Sequence, residues 1–308
     1  MTPYQIRSTL YMPATQNKLA GIINHPHKTH ADAIVLCFED ALPINDIDKG
    51  IANLNHAFAH ISPPNHRPYV FIRVRNINNF HYLLNHLHSD CLRHLAGMVI
   101  PKLTLANFKE WQTALSAPQN PFYYMVTLET EDYYQPKNIA KIFKKLRQSS
   151  LAPRILSVRL GGNDLLRGIL MKRPKGKHTL YNTPLVGLFS QIIIQARLNG
   201  FEVSAPVFEY FAPSDPDTQA AFAQELQQDH IFGFWGKTAI HPSQCPAINQ
   251  QFTVSAEDLA LAQHIYQQVA QHGGLHGGVS NHNQSMIEPT THYAWAKRIL
   301  AMQSSHSE

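Results

Sequence analysis

Strand-like and helix-like segments alternate along most of this chain, and this alternation constrains the fold more than any other feature of the sequence. Each strand-like run is short and apolar, and each is followed by a run with apolar residues at helical spacing. Eight such units predict a (β/α)8 TIM barrel, which typically takes about 250 residues. A doubly wound open sheet is the alternative, but eight consecutive units favour closure. The predicted strands cover residues 8–13, 33–40, 69–76, 96–102, 122–130, 154–162, 201–208 and 233–240.

The pattern changes after residue 252. We therefore predict an α/β barrel domain over residues 1–252 and a C-terminal helical extension, acting as a lid, over residues 253–308. Ser255, with Asp258 three positions later, predicts the N-cap of a strong helix. Residues 273–284 (GGLHGGVSNHNQ) predict a flexible glycine-rich segment, and residues 285–300 return to a helical pattern.

Composition and charge exclude several classes of function. The net charge is +5, and the one basic cluster, at 170–178, is either a solvated loop or a rim that attracts a phosphorylated cofactor. No long basic stripe with interleaved aromatic residues is present, so we expect no nucleic-acid partner. No apolar run reaches the roughly 18 residues of a membrane span, and the N-terminus lacks the apolar region of a signal peptide. We expect a cytoplasmic protein with no membrane partner.

Polar and charged residues stand at the ends of the predicted strands, out of keeping with the apolar runs before them. In a TIM barrel the active site lies at the C-terminal ends of the strands. Any one of these residues would be explained by a helix cap or a surface charge, but six strand ends together predict an active site. The residues are Glu39, Asp40, Arg73, Lys102, Glu129, Asp164, Lys237 and His241.

Two of these residues, Glu129 and Asp164, follow adjacent strands without a paired cysteine or histidine. Hard oxygen ligands in small number suit Mg²⁺, which keeps several waters and leaves positions for substrate oxygens. The guanidinium of Arg73 offers a planar fork for a carboxylate. Together they indicate enolate chemistry on a 2-oxo acid. The alternative interpretation of the two acids is a helix cap and a surface acid.

The stretch SVRLGGNDLLRG, residues 157–168, brings Asp164 to this position. It lacks the glycine spacing of a phosphate-binding loop. The double glycine after a strand predicts a tight turn at the barrel mouth, which presents Asp164 to a metal.

The motifs resemble those of the citrate lyase β-subunit-like (HpcH/HpaI aldolase) family along essentially the whole chain. RSTLYMP, FED, FIRVRN, IPK, LET and RLGGND are similar to its strand motifs, and SMIEP is similar to its tail motif. The most specific match is GFWGKTAIHPSQCPAINQQF, residues 233–252. The resemblance implies an Mg²⁺-dependent carbon–carbon lyase on a (β/α)8 barrel.

The resemblance also implies roles for individual residues. Glu129 and Asp164 would bind Mg²⁺, and Arg73 would be the catalytic partner of carboxylate and enolate, with Glu39 and Asp40 as further catalytic candidates. Arg7 and Lys18 would face the CoA or acyl-carrier side, and substrate or cofactor binding would involve Lys102, Lys237 and His241. Glu288 of the tail motif would reach a neighbouring subunit's site and act there as a catalytic acid or base, which implies a homo-oligomer, namely a homotrimer.

Several positions depart from the family pattern. Ala14 replaces a glycine, Cys37 and Ser204 replace aspartates, and Asn53 replaces an arginine. The metal and enolate residues are intact, whereas these positions bear on CoA recognition. We therefore predict a lyase acting on a 3-hydroxy acid or its acyl thioester, with CoA thioester as one substrate form. A free 2-oxo acid aldolase without CoA and a non-catalytic barrel scaffold are the alternatives.

Overall fold

The computed structural model describes residues 1–40, 42–61, 68–117, 121–176, 178–211, 214–275, 277–282 and 285–305. The chain forms two compact units. One is Ile6–Gln251, and the other combines Met1–Gln5 with Phe252–Glu308.

The larger unit contains eight parallel strands in the order β7-β6-β5-β4-β3-β2-β1-β8. Ala205, just after β7, forms a parallel bridge with Lys237 of β8, so the two end strands of this order meet. The predicted TIM barrel is confirmed. The strands are β1 (Ser8–Pro13), β2 (Ala33–Cys37), β3 (Tyr69–Arg73), β4 (Gly97–Ile100), β5 (Tyr123–Leu128), β6 (Ile155–Leu160), β7 (Val203–Ser204) and β8 (Lys237–Ala239).

Helices connect the strands and cover the sheet. Their apolar residues recur at helical spacing, as in α6, where Ile139, Ile142 and Phe143 are buried on one face. Strand β2 (AIVLC) is buried at every position, as expected for a parallel strand covered on both faces. The helices of this unit are α1 (Leu19–Asn24), α2 (Ile47–Phe58), α3 (Ile77–His86), α4 (Ser89–His94), α5 (Phe108–Leu115), α6 (Pro136–Gln148), α7 (Gly162–Gly168), α8 (Leu185–Leu198), α9 (Pro216–Phe232) and α10 (Cys245–Gln251).

All the barrel strands except β1 are shorter than predicted, and β6 and β7 show two of the reasons. Strand β6 ends at Leu160, and the predicted turn that follows is the first turn of helix α7. A Cβ at Gly162 would lie 2.8 Å from the Cβ of Pro206, so only glycine lets α7 begin this close to its neighbour. Strand β7 is two residues long rather than eight. Pro206 lacks the N–H that would continue the ladder.

The smaller unit contains α11 (Ala256–Gln271), the antiparallel strands β9 (Ser280–His282) and β10 (Ser285–Ile287), and α12 (Pro289–Ser304). The Ser255 side chain accepts a hydrogen bond from the Asp258 N–H, which confirms the predicted N-cap. These strands correct two expectations: residues 280–282 were predicted to be part of a flexible segment, and residues 285–287 to be helical. The helix begins instead at Pro289, because proline favours the first turn of a helix. His276 and residues 283–284 of the glycine-rich segment lie outside the described residues.

None of the helices in the described part of the chain is both long and apolar enough to cross a membrane.

Candidate active site

A cavity of about 450 Å³ opens at the C-terminal ends of the barrel strands, where the active site of a TIM barrel lies. Five of the predicted site residues line it: Glu39, Asp40, Arg73, Glu129 and Asp164. Its wall also includes polar residues of β1, β5, β6 and β8 that the sequence analysis did not select, namely Tyr11, Thr127, Arg159 and Thr238.

Glu129 directly follows β5 and is buried. Its Oε1 accepts hydrogen bonds from the Lys102 backbone N–H at 2.9 Å and from Arg73 Nη2 at 3.2 Å. Burial raises the pKa of the Glu129 carboxyl to about 7, and the neighbouring acids Glu39 and Asp164 add to this rise, while Arg73 opposes it. Glu129 is therefore a buried acid held in one orientation at the wall of the cavity.

Asp164 lies in the first turn of α7 and borders the same cavity as Glu129. The residue between strand and helix, Gly161, makes this arrangement possible. A Cβ at Gly161 would lie 2.4 Å from Glu129 Cβ and 2.5 Å from Glu129 Oε2, so a larger residue would displace the carboxylate. Asp164 Oδ1 is also 3.0 Å from Nη2 of Arg167, one helical turn further on.

Arg73 ends β3 and lies between two buried acids. Its Nη2 forms ion pairs with Glu39 Oε2 and with Glu129 Oε1. Burial lowers the pKa of the guanidinium, but Glu129, Tyr11 and Glu39 raise it by more, so Arg73 is protonated at any physiological pH. The charge of Arg73 is thus matched by acids of the protein itself.

Lys102 joins this network from the loop after β4. Its Nζ lies 3.1 Å from Glu39 Oε1 and 3.2 Å from Asp40 Oδ2. The backbone of Lys102 adopts a left-handed conformation with φ 48°, which is uncommon outside glycine and directs the N–H towards Glu129. Lys102 borders an adjoining cavity that also contacts Glu129 and Asp164. Arg75 donates to the carbonyl oxygens of Glu39 and Leu42 and so holds the loop after β2.

Arg159 is a charged residue of the cavity that the sequence analysis missed. It is buried next to the C-terminal end of β6. Its Nη1 donates to Thr9 Oγ1 at 3.2 Å, its Nη2 donates to Thr238 Oγ1, and its guanidinium carbon lies 5.4 Å from the ring centroid of Tyr11. A charged residue inside the otherwise apolar run ILSVRL was the signal available in the sequence.

Arg7 and Lys237 lie away from the cavity, contrary to their predicted binding roles. Arg7 precedes β1, at the end of the barrel opposite the cavity, and its Nε lies 2.8 Å from Asp32 Oδ2. Lys237 is fully buried, with its Nζ 2.9 Å from Glu225 Oε1 and 2.7 Å from Asp229 Oδ2. Both cations form ion pairs with acids of the barrel, so their charges are already balanced by the protein.

Lys18 and His241, which were also predicted to bind substrate or cofactor, lie outside the cavity lining. Lys18 is exposed just before α1. His241 follows β8 and stacks on Phe211, with ring centroids 5.0 Å apart. Glu288 belongs to the smaller unit, where it is the N-cap residue of α12 and accepts a hydrogen bond from Thr291 Oγ1 at 2.9 Å.

The residues present fit a magnesium ion. Within the described residues, no group of three or more His, Cys, Asp and Glu side chains is arranged as a metal site. Mg²⁺ needs fewer, because it commonly takes one or two protein carboxylates and keeps several waters. Glu129 and Asp164 supply two, and Gly161 leaves the space beside Glu129 Oε2 open.

Comparison with known proteins identifies the family of the chain. A family model described as C–C bond lyase of the TIM-barrel fold matches residues 1–307. A citrate lyase subunit beta-like protein of Deinococcus radiodurans is 28% identical over 296 residues, covering 93% of this chain and 94% of that protein. A (3S)-malyl-CoA thioesterase of Cereibacter sphaeroides is 24% identical, covering 97% and 94%.

The fold is shared with solved structures. The CitE protein of Mycobacterium tuberculosis, in complex with magnesium, acetoacetate and coenzyme A, superposes with a TM-score of 0.65 over 96% of this chain and 97% of that one. Its sequence identity to this chain is 16%.

Proposed function

The chain belongs to the C–C bond lyase family of the TIM-barrel fold, and we propose that it cleaves or forms a carbon–carbon bond in a 3-hydroxy acid, or in its acyl thioester, through an enolate. One observation carries this proposal. Two carboxylates, Glu129 and Asp164, border one cavity at the strand ends, and Arg73 is ion-paired to the first of them.

Glu129 and Asp164 would hold Mg²⁺. The ion supplies a Lewis acid that stabilises the negative charge of an enolate. The protein contributes the fixed position of Glu129, whose carboxylate is held by the Lys102 N–H and by Arg73. Preorganised groups of this kind need no rearrangement when charge develops.

Arg73 and Lys102 place two cations beside the acids of the cavity, and Glu39 holds both of them. Asp40 pairs with Lys102 but is largely exposed, so it is the acid of this group that solvent and an entering substrate reach first. We assign Glu39 to orienting the cations and Asp40 to contact with the substrate at the entrance.

Two lines of evidence bear on the form of the substrate. The malyl-CoA thioesterase and the CitE complex with coenzyme A support an acyl thioester. A specific observation favours the free acid: Asn53, where the family pattern has an arginine, donates to the carbonyl oxygens of Ala14 and Gln16 and offers no charge to a phosphate. A free 2-oxo acid aldolase is therefore the second candidate.

Exchange of the methyl protons of pyruvate for deuterium, followed by NMR, tests enolate formation directly. We expect exchange with Mg²⁺ and its loss in EDTA or on Asp164→Asn substitution. Asp132→Asn, an exposed acid nearby, is the matched control and should exchange like the wild type. Activity on acyl-CoA but not on free acids would select the thioester form. Absence of exchange and of cleavage with every acid and thioester would identify a non-catalytic scaffold.

A further inference from the structure

Two guanidiniums line the cavity, and they differ in how their charge is balanced. Arg73 and Arg159 both pack on the ring of Tyr11, with their Cζ atoms 5.9 and 5.4 Å from its centroid. Arg73 is paired with Glu39 and Glu129. Within the described part of the chain, Arg159 has no carboxylate partner, and its polar contacts are the neutral groups of Thr9, Thr238, Met125 and the ring of Tyr11.

A buried cation without an acid is costly, because it has lost its water and gained no opposite charge. Arg159 is 2% exposed, and burial together with the charge of Arg73 lowers the pKa of its guanidinium. The hydroxyls of Thr9 and Thr238 satisfy donors but do not neutralise the charge. Arg159 also borders the cavity, which has room for an anion beside the guanidinium.

We propose that Arg159 is the residue of this chain that selects dicarboxylic over monocarboxylic acids: assisted by the Thr238 hydroxyl, it binds the carboxylate that does not lie at Glu129 and Asp164. The proposal rests on the proposed function, which places the reacting end of the acid at Glu129 and Asp164. A guanidinium matches the planar carboxylate with two parallel donors. Arg159 and Arg73 pack on one ring, that of Tyr11, and both line the cavity that Glu129 and Asp164 border.

A purely structural role is the competing explanation, and stability distinguishes it. If Arg159 only ties β6 to β1 and β8 through Thr9 and Thr238, Arg159→Met removes useful hydrogen bonds and lowers Tm. If Arg159 is kept for an anion, Arg159→Met removes an unneutralised buried charge, and Tm stays level or rises. Arg154, which packs on Tyr124 at 5.2 Å and lies outside the cavity, is the matched control for losing an arginine–tyrosine contact.

Calorimetric titration with two acids of equal length, 2-oxoglutarate and 2-oxopentanoate, in the presence of Mg²⁺ tests the subsite. The two differ in the second carboxylate alone. We expect the wild type and Arg154→Met to bind the dicarboxylate on the order of 10- to 100-fold more tightly, the range for a charge-assisted hydrogen bond. Arg159→Met should bind both acids alike, and Arg159→Lys should keep part of the difference.

Two results would overturn the proposal: no preference for the dicarboxylate in the wild type, or an unchanged preference in Arg159→Met. Both readouts are binding equilibria and do not require turnover. If the preference for the dicarboxylate depends on Arg159 but pyruvate shows no proton exchange, the anion subsite is supported and the proposed function is wrong. If pyruvate exchanges its protons but the wild type shows no preference for the dicarboxylate, the proposed function is supported and the anion subsite is wrong.

Discussion

Arg73 Nη2 lies 3.2 Å from Glu129 Oε1 and 3.3 Å from Glu129 Oε2, so one nitrogen holds both oxygens of the buried acid. The relationship joins the end of β3 to the end of β5 across the cavity. It fixes the carboxylate that we assign to Mg²⁺, while Arg73 Nε has no hydrogen-bond partner within the described residues, which leaves the second arm of the guanidinium fork for a substrate carboxylate.

Arg73→Lys should therefore lose most activity although the charge is kept, because a flexible ammonium cannot reproduce the fork of a guanidinium. We expect a loss of about 2–3 kcal/mol in transition-state stabilisation, or roughly 30- to 150-fold in kcat/KM. The measurement is the kinetics of the cleavage or exchange reaction. Arg147→Lys, whose guanidinium bonds to the Leu198 carbonyl, is the control. Kinetics of Arg73→Lys within twofold of the wild type would show that Arg73 is structural.

Glu129 and Asp164 are predicted to bind one Mg²⁺ at about 2.1 Å. Glu129→Gln and Asp164→Asn should each weaken Mg²⁺ binding more than about tenfold in calorimetry, since each removes a charged ligand. Asp132→Asn should bind like the wild type. A structure with Mg²⁺ in which the two carboxylates lie more than about 8 Å apart would contradict the prediction, because no single ion could touch both.

Lys237 is predicted to stabilise the barrel rather than to bind substrate. It belongs to a buried group of two cations and two anions, with Arg173, Glu225 and Asp229. Lys237→Met would leave Glu225 and Asp229 with one cation between them, which should lower the free energy of unfolding by about 3–5 kcal/mol. Denaturant titration measures this loss. The exposed Lys49→Met should change stability by less than about 0.5 kcal/mol. Equal stability of the two variants would show that the buried ion pairs contribute nothing.

Cys91 and Cys245 are predicted to resist alkylation in the folded protein. Burial raises the pKa of both thiols to about 12, so about one thiol in ten thousand is ionised at pH 8. The stabilising effect of the neutral thiols is fully present below the unfolded pKa near 9 and is lost as the pH rises through about 12. Mass spectrometry after iodoacetamide treatment at pH 8 should find both residues labelled after denaturation only. Rapid labelling of either in the native protein would contradict this.

Glu288 is predicted to act across subunits in a homo-oligomer, namely a trimer. A tail that closes over a neighbouring cavity would exclude water from an enolate. Mixing Glu288→Gln with Asp164→Asn subunits should restore activity that neither variant has alone, because some sites then combine an intact metal site with an intact tail. Light scattering gives the oligomeric state. A monomer, or no rescue after proven subunit exchange, would exclude a shared site.

The sequence by itself determined the barrel. Eight apolar runs separated by amphipathic helices can bury their residues together only if the parallel sheet is covered on its outer face and filled inside. The position of the cavity followed from the same pattern, because the carboxyl ends of parallel strands meet at one end of a barrel. Residues at strand ends, such as Arg73 and Glu129, were predictable for this reason.

Tertiary structure decided which charges were available at that end. Lys237, which begins β8, and Arg159, near the end of β6, are both buried cations of barrel strands, and nothing in their local sequence distinguishes their roles. Lys237 meets Glu225 and Asp229 of α9, whereas Arg159, within the described residues, has no carboxylate partner and borders the cavity. The difference depends on partners distant in the chain, such as Thr9 for Arg159. Strand periodicity fixes which side of the sheet a residue faces, but the balance of charge around it is set only when the barrel closes.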